Sequence, residues 1–360
     1  MERRGGMARY AAPIPAFYQL KRRFPLASYI LVRLFTMLLM LFLLGFVVFG
    51  LMELAPGDIV DQIMIQQLFT EGSATANMQA LTAEQLAARR ASLGLDQPFY
   101  VQYFRWLSRV LIHHDLGVSL ISRAPVSFLI SSRIYNSLTL NLISLVLITV
   151  FSFLLGVYFS TKAGTPADIV VTFFALVLHA FPGILLYILF QLFASVSGLF
   201  PVTAFPNFSI GSNPGGFVLS YAHHVFLPLF ASFLMGLGGT LRMIRATMLD
   251  QLGQPYITSL RSRGIHEWRV YFHHAFRNTL NPYITGSANM LAGLFSGSLI
   301  MEIIFAYPGI GRLMYEAVLQ EDINLVLANL MFISFLVLLG MVLSDILLAL
   351  VDPRIRYGKE

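Results

Sequence analysis

Long apolar stretches constrain this chain more than any other feature of its sequence. Residues 30–51 form a nearly continuous apolar run that only Arg33 interrupts. As a helix this run would be about 33 Å long, which is enough to cross a lipid bilayer. Similar stretches, which bring the predicted spans to six, lie near residues 134–160, 169–195, 219–241, 283–305 and 324–350.

The composition supports a membrane protein. Hydrophobic residues make up 57% of the chain and charged residues 12%, whereas soluble domains contain about 25% charged residues. A soluble enzyme, a disordered chain and a coiled coil are therefore excluded. We predict an all-α polytopic membrane protein with six transmembrane helices. We also predict a kink or a break in the third of them, because Phe181-Pro182-Gly183 lies inside it.

The chain divides into segments that differ in polarity and predicted structure. They are a basic N-terminal tail (1–29), the first transmembrane helix (30–54), a loop region with short helices (55–133), a five-helix core (134–351) and a C-terminal tail (352–360). The core includes a polar loop at residues 242–282.

Lysine and arginine residues set the predicted orientation. Most of them lie in the two tails and in the loop 242–282, whereas Arg312 alone lies in the short loops on the opposite side. The positive-inside rule then places both termini and this loop in the cytoplasm, and residues 55–133 outside an inner (plasma) membrane. A cleaved signal peptide is the alternative for the first stretch, but its apolar core would be shorter.

The sequence lacks the patterns that carry chemistry. It contains no cysteine, and none of its lysines lies in a Gly-x-x-x-x-Gly-Lys-Ser/Thr loop, so any ATP must be bound by another polypeptide. The paired histidines do not have metal-ligand spacing, because neighbours on a helix point about 100° apart; these are residues 113–114, 223–224 and 273–274. We predict no catalytic, cofactor-binding or metal-binding residue and no nucleic-acid partner.

The polar loop 242–282 has a helical pattern of its own. Tyr256, Ile257 and Leu260 would share one face of a first short helix, which Gly264 could end in a left-handed conformation. A second helix would place the aromatic residues 268, 271 and 272 on one face. Two such helices would form a compact knob suited to a helix-in-groove contact with a partner. The alternative, which periodicity alone favours, is a solvated loop whose aromatic residues touch lipid headgroups.

Several motifs in order strengthen the first interpretation. The loop resembles the EAA loop of ABC importer permeases, in the form typical of the dipeptide/oligopeptide/nickel permease family. Further resemblances to this family cover roughly residues 26–358, at positions 54–58, 93–98, 115–119, 181–182, 302–311 and 352–356. There are departures: Thr258, Ser259 and Leu260 replace Glu-Ala-Ala, His114 replaces a common Gly, and Asn324 a common Pro.

The resemblance implies a type I ABC importer permease fold and a set of partners. These are a second homologous permease subunit, two ATPase subunits that bind ATP and Mg, and an extracytoplasmic solute-binding protein. The solute would be a short peptide, with nickel complexes and oligosaccharides as the alternative solutes. An ion-coupled secondary transporter is the alternative class of protein. The residues implied in ATPase coupling are Tyr256, Ile257, Leu260, Arg261, Arg263, Gly264, Trp268, His274, Arg277 and Asn278.

A second group of residues is expected at a gate or in structural contacts. Glu302 is interpreted as a structural contact beside an outer turn rather than a substrate ligand, and its place near the outer end of a span leaves a gate role as the alternative. Asp345 and Asp352 share a helix face near its inner end, and we expect Asp345 to pair with an arginine there, where Arg242 and Arg245 begin the loop. The other members of the group are Phe181, Pro182, Pro308, Gly309 and Gly311.

Overall fold

The structure, a computed structural model, describes residues 25–54, 97–207, 211, 213–280, 282–283, 290, 293–294 and 298–351. Helices dominate these ranges. Numbered in chain order, they are α1 (Pro25–Leu54), α2 (Phe99–His113), α3 (Val126–Thr161), α4 (Pro166–Ala180), α5 (Gly183–Ser197), α6 (Pro214–Leu252), α7 (Pro255–Ser262), α8 (Glu267–Arg269), α9 (Phe276–Thr279), α10 (Leu299–Ile304), α11 (Ile310–Leu319) and α12 (Ile323–Val351). A π-helical segment, Val270–Ala275, joins α8 to α9.

Four helices of the described ranges, α1, α3, α6 and α12, are long and apolar enough to cross a membrane. A fifth candidate is the pair α4–α5, which is bent by 95°. The bend follows from Pro182, because a proline holds the residue before it, Phe181, in an extended conformation. The break predicted at this position is confirmed. Residues 284–289, 291–292 and 295–297 of the stretch 283–305 lie outside the described residues, so the span expected there stays a prediction.

Two helices extend beyond the spans predicted from apolar length. Helix α3 begins at Val126 rather than near residue 134, because Pro125 provides the extended residue that precedes its first turn. Helix α6 continues to Leu252, so the loop expected from residue 242 begins about ten residues later. The added turns are helical because Ile244 and Met248 are fully buried, and packing stabilises a helix more than local propensity does.

Aromatic packing attaches α2 to the first span. The ring of Tyr103 is buried beside Gly45, where a Cβ atom would come within 2.8 Å of it. The Tyr103 hydroxyl donates to the carbonyl of Phe42 at 2.8 Å. Helix α2 therefore packs along a membrane helix, while residues 55–96 of the predicted loop region lie outside the described residues.

Helices α4 and α6 approach each other until their backbones meet. A Cβ atom on Gly238 of α6 would lie 2.6 Å from the carbonyl oxygen of Ala175 and 2.9 Å from the amide nitrogen of His179. Small residues allow this kind of close contact between membrane helices. The contact lies one turn before the break, so it fixes the position of the bend relative to α6.

Gly238→Val should destabilise the protein by about 1–3 kcal/mol, because the added side chain must push the two backbones apart. The measurement is thermal unfolding of the detergent-solubilised protein. Gly253→Ala, at the residue that follows the same helix, is the control: its Cβ atom would lie 3.7 Å from the nearest carbonyl oxygens. Equal unfolding temperatures for the two variants would contradict the close contact.

Candidate functional site

The chain after α6 folds into a compact unit, which we call the knob (residues 254–280). Its apolar underside packs on the end of α6 and on α3. The buried residues there are Ile257, Val270 and Ala275 of the knob, with Ile244 and Met248 of α6 and Val157 of α3. Tyr256 and Leu260 are half-buried around Ile257, so the predicted shared face of α7 is the face that meets the membrane helices.

Gly264 ends α7 in the way the sequence predicts. Its φ is +72°, in the left-handed region that favours glycine. Its N–H donates to the Arg261 carbonyl at 2.9 Å, and the N–H of Ile265 donates to the Leu260 carbonyl at 3.3 Å. These two bonds form a Schellman motif, which turns the chain sharply between the two halves of the knob.

An ion pair bridges the glycine turn. Arg261 donates two hydrogen bonds to the Glu267 carboxylate, at 2.9 and 3.2 Å. This contact holds the pKa of the Glu267 carboxyl below its ordinary value. Both side chains are exposed, so the pair contributes little to stability.

The second half of the knob differs from the predicted single helix. After the short helix α8, the chain continues as the π-helical segment, which shifts the register of its side chains. Tyr271 is half-buried in the knob core. Trp268 and Phe272, in contrast, are 64% and 40% exposed, and their ring centroids are 4.0 Å apart. The three aromatic residues therefore do not share a buried face, and two of them form an exposed pair.

Polar contacts connect both halves of the knob to α6. The Tyr256 hydroxyl donates to Gln251 Oε1 at 3.0 Å and accepts from Asn278 Nδ2 at 3.1 Å. His274 is half-buried, and Arg277 beside Asn278 is exposed. Arg263 is also exposed, in the turn at the other end of the knob. The predicted coupling residues are thus close together, with an apolar underside and a basic, aromatic outer surface.

A buried carboxylate organises the opposite end of the bundle. Glu302 is 1% exposed; its Oε1 accepts from the Ser137 hydroxyl of α3 and its Oε2 from the N–H of Arg312, both at 2.8 Å. The Ser137 oxygen in turn accepts from the N–H of Ile310 at 2.8 Å. Glu302 and Ser137 therefore satisfy N–H groups of the first turn of α11, which has no side-chain cap of its own.

The residues around Glu302 explain the glycines of the same motif. A Cβ atom on Gly309 would overlap the Glu302 carboxylate, and one on Gly311 would lie 3.0 Å from Oε2. The carbonyl of Pro308 accepts from Asn136 Nδ2 at 2.9 Å. The motif therefore forms a turn whose shape depends on the buried carboxylate, and the interpretation of Glu302 as a structural contact agrees with this geometry.

Sequence reasoning missed two other buried carboxylates. Asp168, in the first turn of α4, forms an ion pair with Arg245 of α6 at 2.6 Å. Asp322 caps α12 by accepting from the N–H of Leu325 at 3.2 Å, and it also accepts from the hydroxyl of Ser119. Thr165-Pro166 before Asp168 is a helix-start signal, but no pattern in the sequence indicated the partner of either acid.

Comparisons with known proteins identify the family. The model of the family described as "Binding-protein-dependent transport system inner membrane component" matches residues 148–357, and the model of its N-terminal region matches residues 26–143. The chain belongs to this family. The resemblance inferred from the ordered motifs is thereby confirmed.

Two curated relatives of this permease carry the same assignment. The oligopeptide transport system permease protein AppB of Bacillus subtilis (strain 168) is 32% identical over 92% of this chain and 100% of its own length. The dipeptide transport system permease protein DppB of Escherichia coli (strain K12) is 29% identical over 86% of this chain and 93% of its own. The chain is thus an inner-membrane permease subunit of an ABC transporter and not an enzyme; its system includes a separate ATPase and a solute-binding protein.

Asp345 and Asp352 were expected to share a helix face in the permease's C-terminal region. The side chain of Asp345 and all of Asp352 lie outside the described residues. Arg245, one of the two arginines that begin the predicted loop, binds Asp168. A pairing of Asp345 with another arginine stays a prediction.

Gly264→Val should weaken the knob without displacing it, because a side chain there meets no atom within 4 Å but must adopt a left-handed backbone, at a cost of about 1–2 kcal/mol. The measurement is amide hydrogen exchange of residues 260–265, which should become faster in the valine variant. Gly264→Asn is the control, since Asn tolerates this conformation. Equal exchange in both variants would mean that the Schellman turn does not limit the opening of the knob.

Glu302→Ala should destabilise the protein by about 1–3 kcal/mol for each buried donor that loses its acceptor. Glu302→Gln keeps the volume and one acceptor oxygen, so its loss should be smaller. Thermal unfolding separates them, with Glu316→Gln as the control, because Glu316 forms a part-exposed pair with Arg312. The turn would not depend on Glu302 if its alanine variant unfolded at the temperature of the control.

Proposed function

We propose that the chain is one of two permease subunits in an importer of short peptides, and that the knob is the docking point of an ATPase subunit on the cytoplasmic side. In this proposal both termini are cytoplasmic, a second homologous permease completes the pathway, and two ATPase subunits bind ATP and Mg. The peptide as solute is supported by the relatives named for oligopeptide and dipeptide transport.

The observation that carries the docking proposal is the contrast between the two sides of the knob. The underside is fully buried and fixed to α6 and α3. The outer surface presents the Trp268–Phe272 pair and four exposed arginines, at positions 261, 263, 269 and 277. Exposed aromatic residues and arginines are typical of the residues that dominate binding energy at protein interfaces.

This arrangement favours a transporter powered by a partner over an ion-coupled carrier. An ion-coupled carrier needs ionisable residues near the membrane midplane. The buried charged residues of the described ranges are Asp168, Glu302 and Asp322. Asp168 lies near the knob end of the helices, and the other two lie near the opposite end. Movement of the knobs by the ATPases would then be converted into alternating access by rocking of rigid helices.

The test is solute uptake into proteoliposomes that contain the assembled complex, with the binding protein outside and ATP inside. Radiolabelled dipeptides and oligopeptides should be taken up only when ATP and the ATPase are present. Uptake that survives removal of the ATPase and depends on a proton or sodium gradient would overturn the proposal. Uptake of a nickel complex or an oligosaccharide instead of peptides would retain the importer and correct its solute.

Trp268→Ala should lower ATP-dependent uptake by about thirtyfold or more, because truncation of an aromatic residue that the proposed interface buries costs about 2 kcal/mol or more. Copurification of the ATPase with the permease should weaken in parallel. Tyr158→Ala is the control: Tyr158 is an exposed aromatic residue at the same end of the bundle, beside Lys162. If both variants lost uptake equally and the ATPase stayed bound, Trp268 would be a lipid-headgroup contact instead.

A further inference from the structure

The docking proposal leaves one strong polar contact at the knob end without a role. Asp168 and Arg245 form a bidentate ion pair, Nε to Oδ1 at 2.6 Å and Nη2 to Oδ2 at 2.7 Å. The Asp168 side chain is 2% exposed. Oδ2 also accepts from the N–H of Gly164 at 2.9 Å. The pair therefore fixes the start of α4 and the turn before it to the side of α6.

Arg245 lies on the part of α6 that forms the floor of the knob. Its neighbours Ile244 and Met248 are fully buried and belong to the cluster that also contains Ile257 and Val270 of the knob. Because this cluster is closely packed, the knob and this part of α6 must move together. Any displacement of the knob is therefore also a displacement of Arg245.

The other end of α4 is attached to the same helix. The backbone of α4 at Ala175 meets Gly238 directly, and a Cβ atom on Gly239 would lie 3.0 Å from Nδ1 of His179. The break that follows, at Phe181 and Pro182, separates α4 from α5 by the 95° bend. Helix α4 is thus held to α6 at both ends. The first point at which the chain can bend beyond these two helices is the break at Phe181 and Pro182.

We propose that the Asp168–Arg245 ion pair transmits movement of the knob to the broken helix pair α4–α5. This inference rests on the proposed docking of the ATPase at the knob. Two parallel hydrogen bonds between a carboxylate and a guanidinium fix an angle as well as a distance, so α4 cannot pivot on α6 when the knob moves. Asp168 and Arg245 are positioning residues: they act through the break and touch no solute in this proposal.

An apolar replacement of the Asp168–Arg245 pair gives different results if the pair only stabilises the fold and if it transmits movement. Replacing a buried ion pair by apolar residues of similar size often preserves stability, but it removes the directional contact. The double variant Asp168→Leu with Arg245→Met therefore tests transmission in a folded protein. Arg245→Lys is the second variant, because lysine keeps the charge but contacts the carboxylate as a single point.

The first measurement is the amount of peptide imported per ATP hydrolysed by the reconstituted complex. We expect this ratio to fall several-fold in the double variant and less in Arg245→Lys, while ATP hydrolysis and assembly with the ATPase stay at the wild-type level. Glu316→Gln, which breaks the part-exposed pair at the opposite end, should keep the wild-type ratio. An unchanged ratio, or uptake and hydrolysis that fall together, would overturn the inference.

The second measurement follows the helices themselves. Because the chain has no cysteine, spin labels can be placed through Ile169→Cys on α4 and Asp250→Cys on α6, two exposed positions. With the pair intact, the label distance should be the same with and without bound ATP. With the apolar pair it should shift or broaden when ATP binds. A distance that already changes in the otherwise wild-type complex would show that α4 does not move with α6.

These outcomes separate the inference from the function on which it rests. A wild-type complex without ATP-dependent uptake would overturn the proposed function before any variant is compared. A wild-type complex that couples ATP to uptake, with a double variant that couples equally well, would retain the function and overturn the role of the pair alone.

Discussion

Burial of charge is the constraint on which both ends of this helical bundle depend. The buried charged side chains of the described ranges are Asp168, Glu302 and Asp322, and each lies at the start of a helix. Asp168 is in the first turn of α4, Glu302 accepts from the first turn of α11, and Asp322 caps α12. Unpaired N–H groups and the positive end of the helix dipole stabilise a carboxylate there. A carboxylate can therefore be buried in this bundle where a helix begins.

Helix α6 connects these two ends. It runs from Pro214 to Leu252, and along its length it contacts α3, the broken pair α4–α5 and the knob. Gly238 allows the backbone of α4 to reach it, and Gly156 of α3 accommodates Ile244, whose Cγ2 atom would lie 2.7 Å from a Cβ atom at that glycine. Close contacts of this kind leave little room for one helix to slide past another. The helix that forms the floor of the knob is therefore also the helix that positions the break.

Much of this arrangement could be predicted from the sequence, where a local rule applies. Apolar length indicated the long helices, Pro182 indicated the break, and Gly264 indicated the end of α7 in a left-handed turn. The π-helical segment could not be predicted, because its side chains follow tertiary packing around Val270 rather than an α-helical period. The partner of Asp168 could not be predicted either, since Arg245 is 77 residues away and the pairing depends on how α4 crosses α6.

The two ion pairs of the knob region, one on its outer surface and one below it, differ in how strongly they resist displacement. The Arg261–Glu267 pair on the outer surface is exposed, and water screens it. The Asp168–Arg245 pair below the knob is shielded from water on the Asp168 side, where its attraction is stronger. A partner bound to the outer surface would rearrange exposed contacts easily, but it would have to displace the buried underside as one unit. A displacement imposed at Trp268 and Phe272 would therefore move α6 and α4 with the knob rather than deform the knob itself.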